Sequence, residues 1–201
     1  MRNGGVIGLD YSAADGYAFC SGSPFLPNDC GAVIDPRKTC CFTGHRSDKL
    51  PNGDELEILR ERLFVAVLEM IGRGVDTFIT GMAEGFDLIA AETVVNFYAR
   101  PCLRLVCAVP YFGQIGEMKT AENRQRYQSL LRAAAYKVCF FEKFSPKAYR
   151  VRNQFMVNYS SHLIGFMNGN SSRSGTGQTI RMAQRAGLDI RLITPDELIR
   201  D

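Results

Sequence analysis

The chain has 201 residues, 46% of them hydrophobic and 22% charged, the balance of a soluble globular protein with one domain-sized core. Its net charge of +3 argues against a nucleic-acid partner, which ordinarily meets a clustered basic face. Seven cysteines without a CxxC pair and only two histidines argue against a disulfide framework and against a zinc site of the usual ligands, and point to reduced thiols in a cytoplasmic protein.

Residues 1–37 are rich in Gly, Ser, Asp and Pro and show no helical period, so they read as an irregular N-terminal extension, with Val6-Ile7-Gly8-Leu9 too short to assign. The first 20 residues lack the basic and apolar regions of a signal peptide. No run reaches the 18 or so apolar residues that cross a bilayer, so no membrane partner is expected. A domain from 38 to 201 follows. Residues 38–43 form a candidate first strand leading into Gly44-His45-Arg46. A helix is expected from Asp54, with Glu57 in capping-box-like spacing and Leu59, Leu63, Val67 and Met70 on its buried face, ending at Gly72 and Gly74. Residues 75–80 are β-branched and aromatic enough for a second strand, and Leu88, Ala91 and Val95 mark a helix face behind it. After Pro101, a third strand over 103–109 is expected to stop at Pro110, with a loop over 111–119. A helix over 120–135 and a strand over 136–141 come next. A helix over 145–159 then carries Tyr149, Phe155 and Met156. A strand over 163–167, a helix over 176–186, a strand over 189–193 and a terminal turn complete the pattern. Cys40, Cys102, Cys107 and Cys139 fall in apolar runs, where cysteine acts as a small hydrophobe.

Strands alternating with helices imply right-handed crossovers and a mostly parallel α/β sheet with helices on both faces. Ligands bind such sheets beyond the carboxyl ends of the strands. Three strand-to-helix loops would open there: Gly44-His45-Arg46, Gly81-Met82-Ala83-Glu84-Gly85-Phe86-Asp87, and Ser174-Gly175-Thr176-Gly177. Glycine permits close backbone approach, and the first amides of a helix favour an anion. The second loop alone fits a plain turn as well as an anion site. The third offers amides and the Thr176 hydroxyl but lacks the P-loop lysine and spacing. His45 and Arg46 are placed to contact a phosphate or base. Asp87 is placed for a ribose hydroxyl or a structural bond. Glu84 and Glu92 are the candidate acids or bases, though no spacing pairs either with a nucleophile. Arginines recur near loops at Arg46, Arg124, Arg126, Arg150, Arg152 and Arg173, a pattern compatible with a small anionic ligand.

Taken in order, Thr43-Gly44-His45-Arg46, the Thr80–Asp87 stretch with Ala90-Ala91-Glu92, Pro110 with Gln114, Arg126-Tyr127, Arg152-Asn153 with Met156-Val157, and Ser174-Gly175-Thr176 resemble the YpsA-like branch of the SLOG superfamily. The resemblance covers about residues 38–195. It implies a Rossmann-like domain that binds or senses a nucleotide or nucleotide-derived ligand, NAD-like or ADP-ribose-like, through Gly44, His45, Arg46, the loop 81–87, Arg152, Asn153 and the loop 174–177. Related domains often dimerise, which leaves a homodimer open. This branch usually has Gly-Gly-Thr where the chain has Ser174-Gly175-Thr176, and Asp where it has Asn158. In the related LOG phosphoribohydrolases a catalytic glutamate falls where this chain has Thr179, which argues against N-glycosidic hydrolysis. The stretch 81–91 is also similar to the single-stranded DNA binder DprA.

Overall fold

The structure, a computed structural model, describes residues 16–26, 34–97, 102–169 and 174–199. Val6-Ile7-Gly8-Leu9, Pro101 and Arg173 lie outside the described residues. Seven strands, β1 (Tyr17–Phe19), β2 (Thr39–Thr43), β3 (Thr77–Thr80), β4 (Arg104–Tyr111), β5 (Tyr136–Phe141), β6 (His162–Phe166) and β7 (Asp189–Ile193), form one sheet in the order β1-β5-β4-β3-β2-β6-β7. Every pairing is parallel. The helices α1 (Asp54–Gly72), α2 (Phe86–Val95), α3 (Ala121–Ala133), α4 (Ala148–Asn158) and α5 (Gly175–Ala186) connect them.

Side-chain alternation along each strand divides the core between two faces. Cys40 and Phe42 of β2, Phe78 of β3 and Phe166 of β6 pack against α1, α2 and α3. Cys41, Ile79, Val106 and Leu163 pack under α4 and α5 with Phe155 and Ala183. Helices therefore cover both faces, as the alternation of elements predicts. Phe42, Phe78, Phe86, Phe140, Phe155 and Phe166 are fully buried, each favouring the fold by roughly 1.5–3 kcal/mol. The cysteines inside the strands are core hydrophobes: burial pushes the Cys41 and Cys139 thiols up to about 12. Among the described residues, no helix is long and apolar enough to cross a membrane.

Three local expectations give way to other physics. Tyr17–Phe19, unassigned in the sequence, pairs with β5 as an edge strand (Ala18 opposite Val138). β4 runs through Pro110 to Tyr111, because β3 has already ended opposite Cys107 and only the β5 side still has a ladder there. The Asp54–Glu57 capping box is absent. Gly53 holds the N-cap with φ 55°, and Asp54, Glu55 and Glu57 instead place carboxylates in the first turn of α1, where the dipole favours them.

Strand order fixes where a ligand fits. From β2 the chain steps outward through β3, β4 and β5, then returns to the other side of β2 at β6. The order reverses between β2 and β6, and the crevice beyond their carboxyl ends is the switch point of the sheet.

Candidate functional site

The crevice begins where β2 turns at Gly44. A Cβ on Gly44 would lie 2.4 Å from the Phe86 ring, and one on Gly85 (φ 112°) 2.6 Å from the His45 carbonyl oxygen. Only glycine lets the two loops lie this close. The Phe86 amide donates to the His45 carbonyl at 3.1 Å, joining them.

The loop 81–87 uses its polar groups internally. The Met82 amide donates to Thr80 Oγ1 (3.2 Å), the Ala83 amide to Asp87 Oδ2 (3.3 Å), and the Thr80 hydroxyl to the Asp87 carbonyl (3.0 Å). Met82 takes a left-handed φ of 57° to do so. These bonds hold the turn ahead of α2 in place, while its N-cap residue, Gly85, offers no side-chain cap. At Gly81 the chain passes directly under a side chain of α4: a Cβ there would sit 1.1 Å from Arg152 Nη1. Gln114 Nε2 donates to the Gly81 carbonyl (3.2 Å), and Gln114 in turn accepts from the Tyr127 hydroxyl (3.2 Å).

The third loop is different. Ser174 caps α5 by accepting from the Gly177 amide (3.0 Å), and Thr176 Oγ1 donates to the Gly44 carbonyl (2.8 Å), tying α5 to the β2 loop. The first-turn amides of α5 have no partner within the helix, and the space a side chain at Gly175 would fill is open.

These elements enclose a cavity of about 480 Å³. Arg152 Nη1 lies 3.3 Å from Asp87 Oδ2, with both side chains only 7% exposed. Burial pushes the Asp87 carboxyl up, opposed by the adjacent Arg152 charge and by the Ala83 amide. Arg152 Nε and His45 Nε2 are buried without a hydrogen-bond partner. Burial, with Lys49 nearby, pulls the His45 imidazole below its ordinary value. Arg46 and Arg152 both lie against the Tyr149 ring, at 5.6 and 5.7 Å from its centroid. Beyond Arg46, Glu117 stands 3.7 Å away and accepts from the hydroxyls of Tyr111 and Tyr149. Burial and the Glu117 carboxylate raise both tyrosines, which keeps their protons on oxygen as donors.

Of the residues expected at the site, Gly44, His45, Arg46, Ala83, Asp87, Arg152, Asn153, Ser174, Gly175 and Thr176 line this cavity. Gly81, Met82, Glu84 and Gly85 stand behind it and shape the loops. Glu84 accepts from Ser47 Oγ (3.2 Å) and the Lys119 amide (2.6 Å). Glu92 is held bidentately by Arg126 (2.6 and 2.8 Å), away from the cavity. Thr179 lines the cavity, but its hydroxyl donates to the Gly175 carbonyl (3.0 Å). The described carboxylates in the cavity wall are Asp48 and the Arg152-paired Asp87. Tyr149, Lys49 and Met156 also line it, and none of them is among the site residues expected from the sequence. A signal existed for two of them: Tyr149, Arg152, Asn153 and Met156 follow the i, i+3, i+4, i+7 spacing of one helix face.

Comparison with known proteins adds to this geometry. No curated protein sequence matches the chain. The solved structure of DNA processing protein A from Helicobacter pylori, reported for its single-stranded DNA binding mode, is similar with a TM-score of 0.55 at 18% identity. The match covers 79% of this chain and 65% of that one, so the chain spans about two thirds of that protein's length. DNA processing protein A (DprA) from Streptococcus pneumoniae matches with a TM-score of 0.48 at 12% identity, over 79% of this chain and 50% of that one. The expectation that the charge argues against nucleic acid is overturned here: the H. pylori protein, with a similar fold, binds single-stranded DNA, so a net charge of +3 gives no ground for exclusion. The family model described as the YspA SLOG family matches residues 40–198, from the first residues of β2 to the turn after β7, and the chain belongs to that family.

Proposed function

We propose that the crevice between β2 and β6 binds a phosphate-bearing nucleotide or nucleotide-derived molecule. The observation that carries this is a convergence: the N-terminal turn of α5 and the guanidinium side chains of Arg46 and Arg152 line one cavity at the switch point. Helix amides and guanidinium forks are complementary to phosphate oxygens. The unpartnered Arg152 Nε and His45 Nε2 support the reading, because an unsatisfied buried polar group costs about 1–3 kcal/mol and is kept where a ligand compensates it. Tyr149 offers a ring beside the cations for a base. Binding is favoured over N-glycosidic cleavage, since Glu84 and Glu92 are engaged elsewhere and Thr179 cannot transfer a proton at neutral pH. A nucleotide presented within a DNA strand is a second form of the same ligand, supported by the fold shared with the H. pylori protein.

The test is thermal unfolding with a panel of nucleoside monophosphates, NAD and ADP-ribose, with calorimetry for any member that shifts Tm. At a hundred times Kd, linkage adds about 2.7 kcal/mol, which raises Tm by roughly 5–10 °C at this chain length. Arg46→Ala, at a half-exposed position, abolishes the shift without unfolding the protein. A panel with no shift and no measurable heat defeats the reading.

A further inference from the structure

The wall of the crevice continues past Tyr149 onto the segment between β5 and α4. Residues 142–152 read Glu-Lys-Phe-Ser-Pro-Lys-Ala-Tyr-Arg-Val-Arg, four cations against one carboxylate, a local excess equal to the net charge of the whole chain. Lys143, Lys147 and Arg150 are exposed, and among the described residues no carboxylate forms an ion pair with them. Between them Phe144 shows 62% of its surface to solvent. Its ring is nonetheless held in place. It meets Tyr111 edge-on at 5.6 Å, Tyr111 meets Tyr149 edge-on at 6.5 Å, and both tyrosine hydroxyls donate to Glu117. Phe144 is therefore an anchored, solvent-facing ring within two ring spacings of a residue that lines the nucleotide crevice.

Cations alternating with aromatic rings along an exposed rim suit one class of polymer. Single-stranded nucleic acid places its phosphates on the cations and its unpaired bases on the rings, whereas a duplex keeps its bases stacked on each other. We propose that the β5–α4 rim binds single-stranded nucleic acid, with one nucleotide seated in the switch-point crevice and a neighbouring base stacked on Phe144. This rests on the nucleotide reading of the crevice and extends it from a mononucleotide to a strand.

Fluorescence anisotropy and calorimetry with the full chain separate the two. The probes are 5′-dTMP, 5′-UMP, oligo(dT) and oligo(rU) of two to eight residues, and a blunt hairpin duplex. The expected result is that octamers of either sugar bind at least tenfold tighter than the mononucleotides and the duplex. Phe144→Ala lowers octamer affinity by about tenfold, the loss of one base stack, and leaves mononucleotide affinity unchanged. With three phosphates neutralised, log K falls against log salt with a slope of roughly −2, and Lys143→Glu with Lys147→Glu brings the slope closer to zero. Mononucleotides that bind as tightly as octamers overturn this proposal and leave the crevice reading intact. No binding of mononucleotide or oligomer overturns this proposal, and the crevice reading falls with it when the full panel with NAD and ADP-ribose also gives no shift. Octamer binding indifferent to Phe144→Ala and to charge reversal, or equal binding of the duplex, also overturns it.

Discussion

Arg152 and Asp87 show how one glycine can hold a site together. The guanidinium crosses the backbone at Gly81, where any Cβ would coincide with Nη1 at 1.1 Å. Gly81→Ala must therefore displace Arg152 and leave Asp87 as a buried carboxylate without its ion partner. Breaking one side of a buried pair costs about 3–5 kcal/mol, and urea denaturation should show a loss of that size; a loss under about 1 kcal/mol would mean that Arg152 has another place to go. His45 makes a prediction about pH. Burial, aided by Lys49, lowers its imidazole from 6.5 in the folded protein. Between that lowered value and 6.5 the unfolded chain binds more protons than the native one, so stability rises with pH through this window and falls on acidification below about 6.5. His45→Asn should remove that part of the fall in a series of melts from pH 7 to 5, and an unchanged profile would assign the slope to other groups. Neither effect was legible in the sequence. Gly81 and His45 could be singled out by type and place, but the burial that gives them force comes from α4 and β6, which are distant in the chain.

At the scale of elements, the α2 and α5 loops looked alike in the sequence, each a glycine turn before a helix. Folding separates them. Thr80, Asp87 and the His45 carbonyl accept from the Met82, Ala83 and Phe86 amides ahead of α2, while the first turn of α5, where the Ser174 hydroxyl accepts from the Gly177 amide, opens onto the cavity. Such pairings depend on χ angles and loop contacts that composition does not encode, whereas the alternation of strand and helix from β2 to β7 is written in side-chain period and is readable there. The sequence places Tyr149 on the helix over 145–159 with Phe155 and Met156 and gives it no role at the site. Its first-turn position at the carboxyl end of the sheet turns it toward the crevice. Ser174→Ala tests the α5 cap. Losing an N-cap hydroxyl costs about 1 kcal/mol, so Tm should drop by roughly 2–4 °C for a chain of this length. Nucleotide affinity should fall as well if the first turn of α5 holds the phosphate. A drop in Tm with affinity unchanged would place the phosphate elsewhere in the cavity.

For the whole molecule, two quantities that average over the chain proved poor guides. Net charge gave no hint that residues 142–152 concentrate the excess beside the crevice. The composition of the first 37 residues, rich in Gly, Ser, Asp and Pro, hid a strand of three residues whose pairing with β5 is set by tertiary contact rather than by propensity. That strand has consequences for the boundaries of the fold. Tyr17 and Ala18 are buried, Tyr17 and Phe19 pack on Phe112, and Cys20 joins the core under α4. A chain beginning at residue 34 should lose the burial of at least one large aromatic, about 1.5–3 kcal/mol, together with the β1 ladder. It should also leave β5 as an unpaired edge open to another chain. The urea midpoint should fall and size-exclusion chromatography should show concentration-dependent association. Because β5, β4 and β3 lie between β1 and β2, the crevice is on the far side of the sheet, and nucleotide affinity of the folded fraction should be unchanged. A truncated chain with the full urea midpoint would show that β1 decorates the sheet without supporting it, and one that folds but no longer binds nucleotide would show that the N-terminal segment reaches the crevice after all.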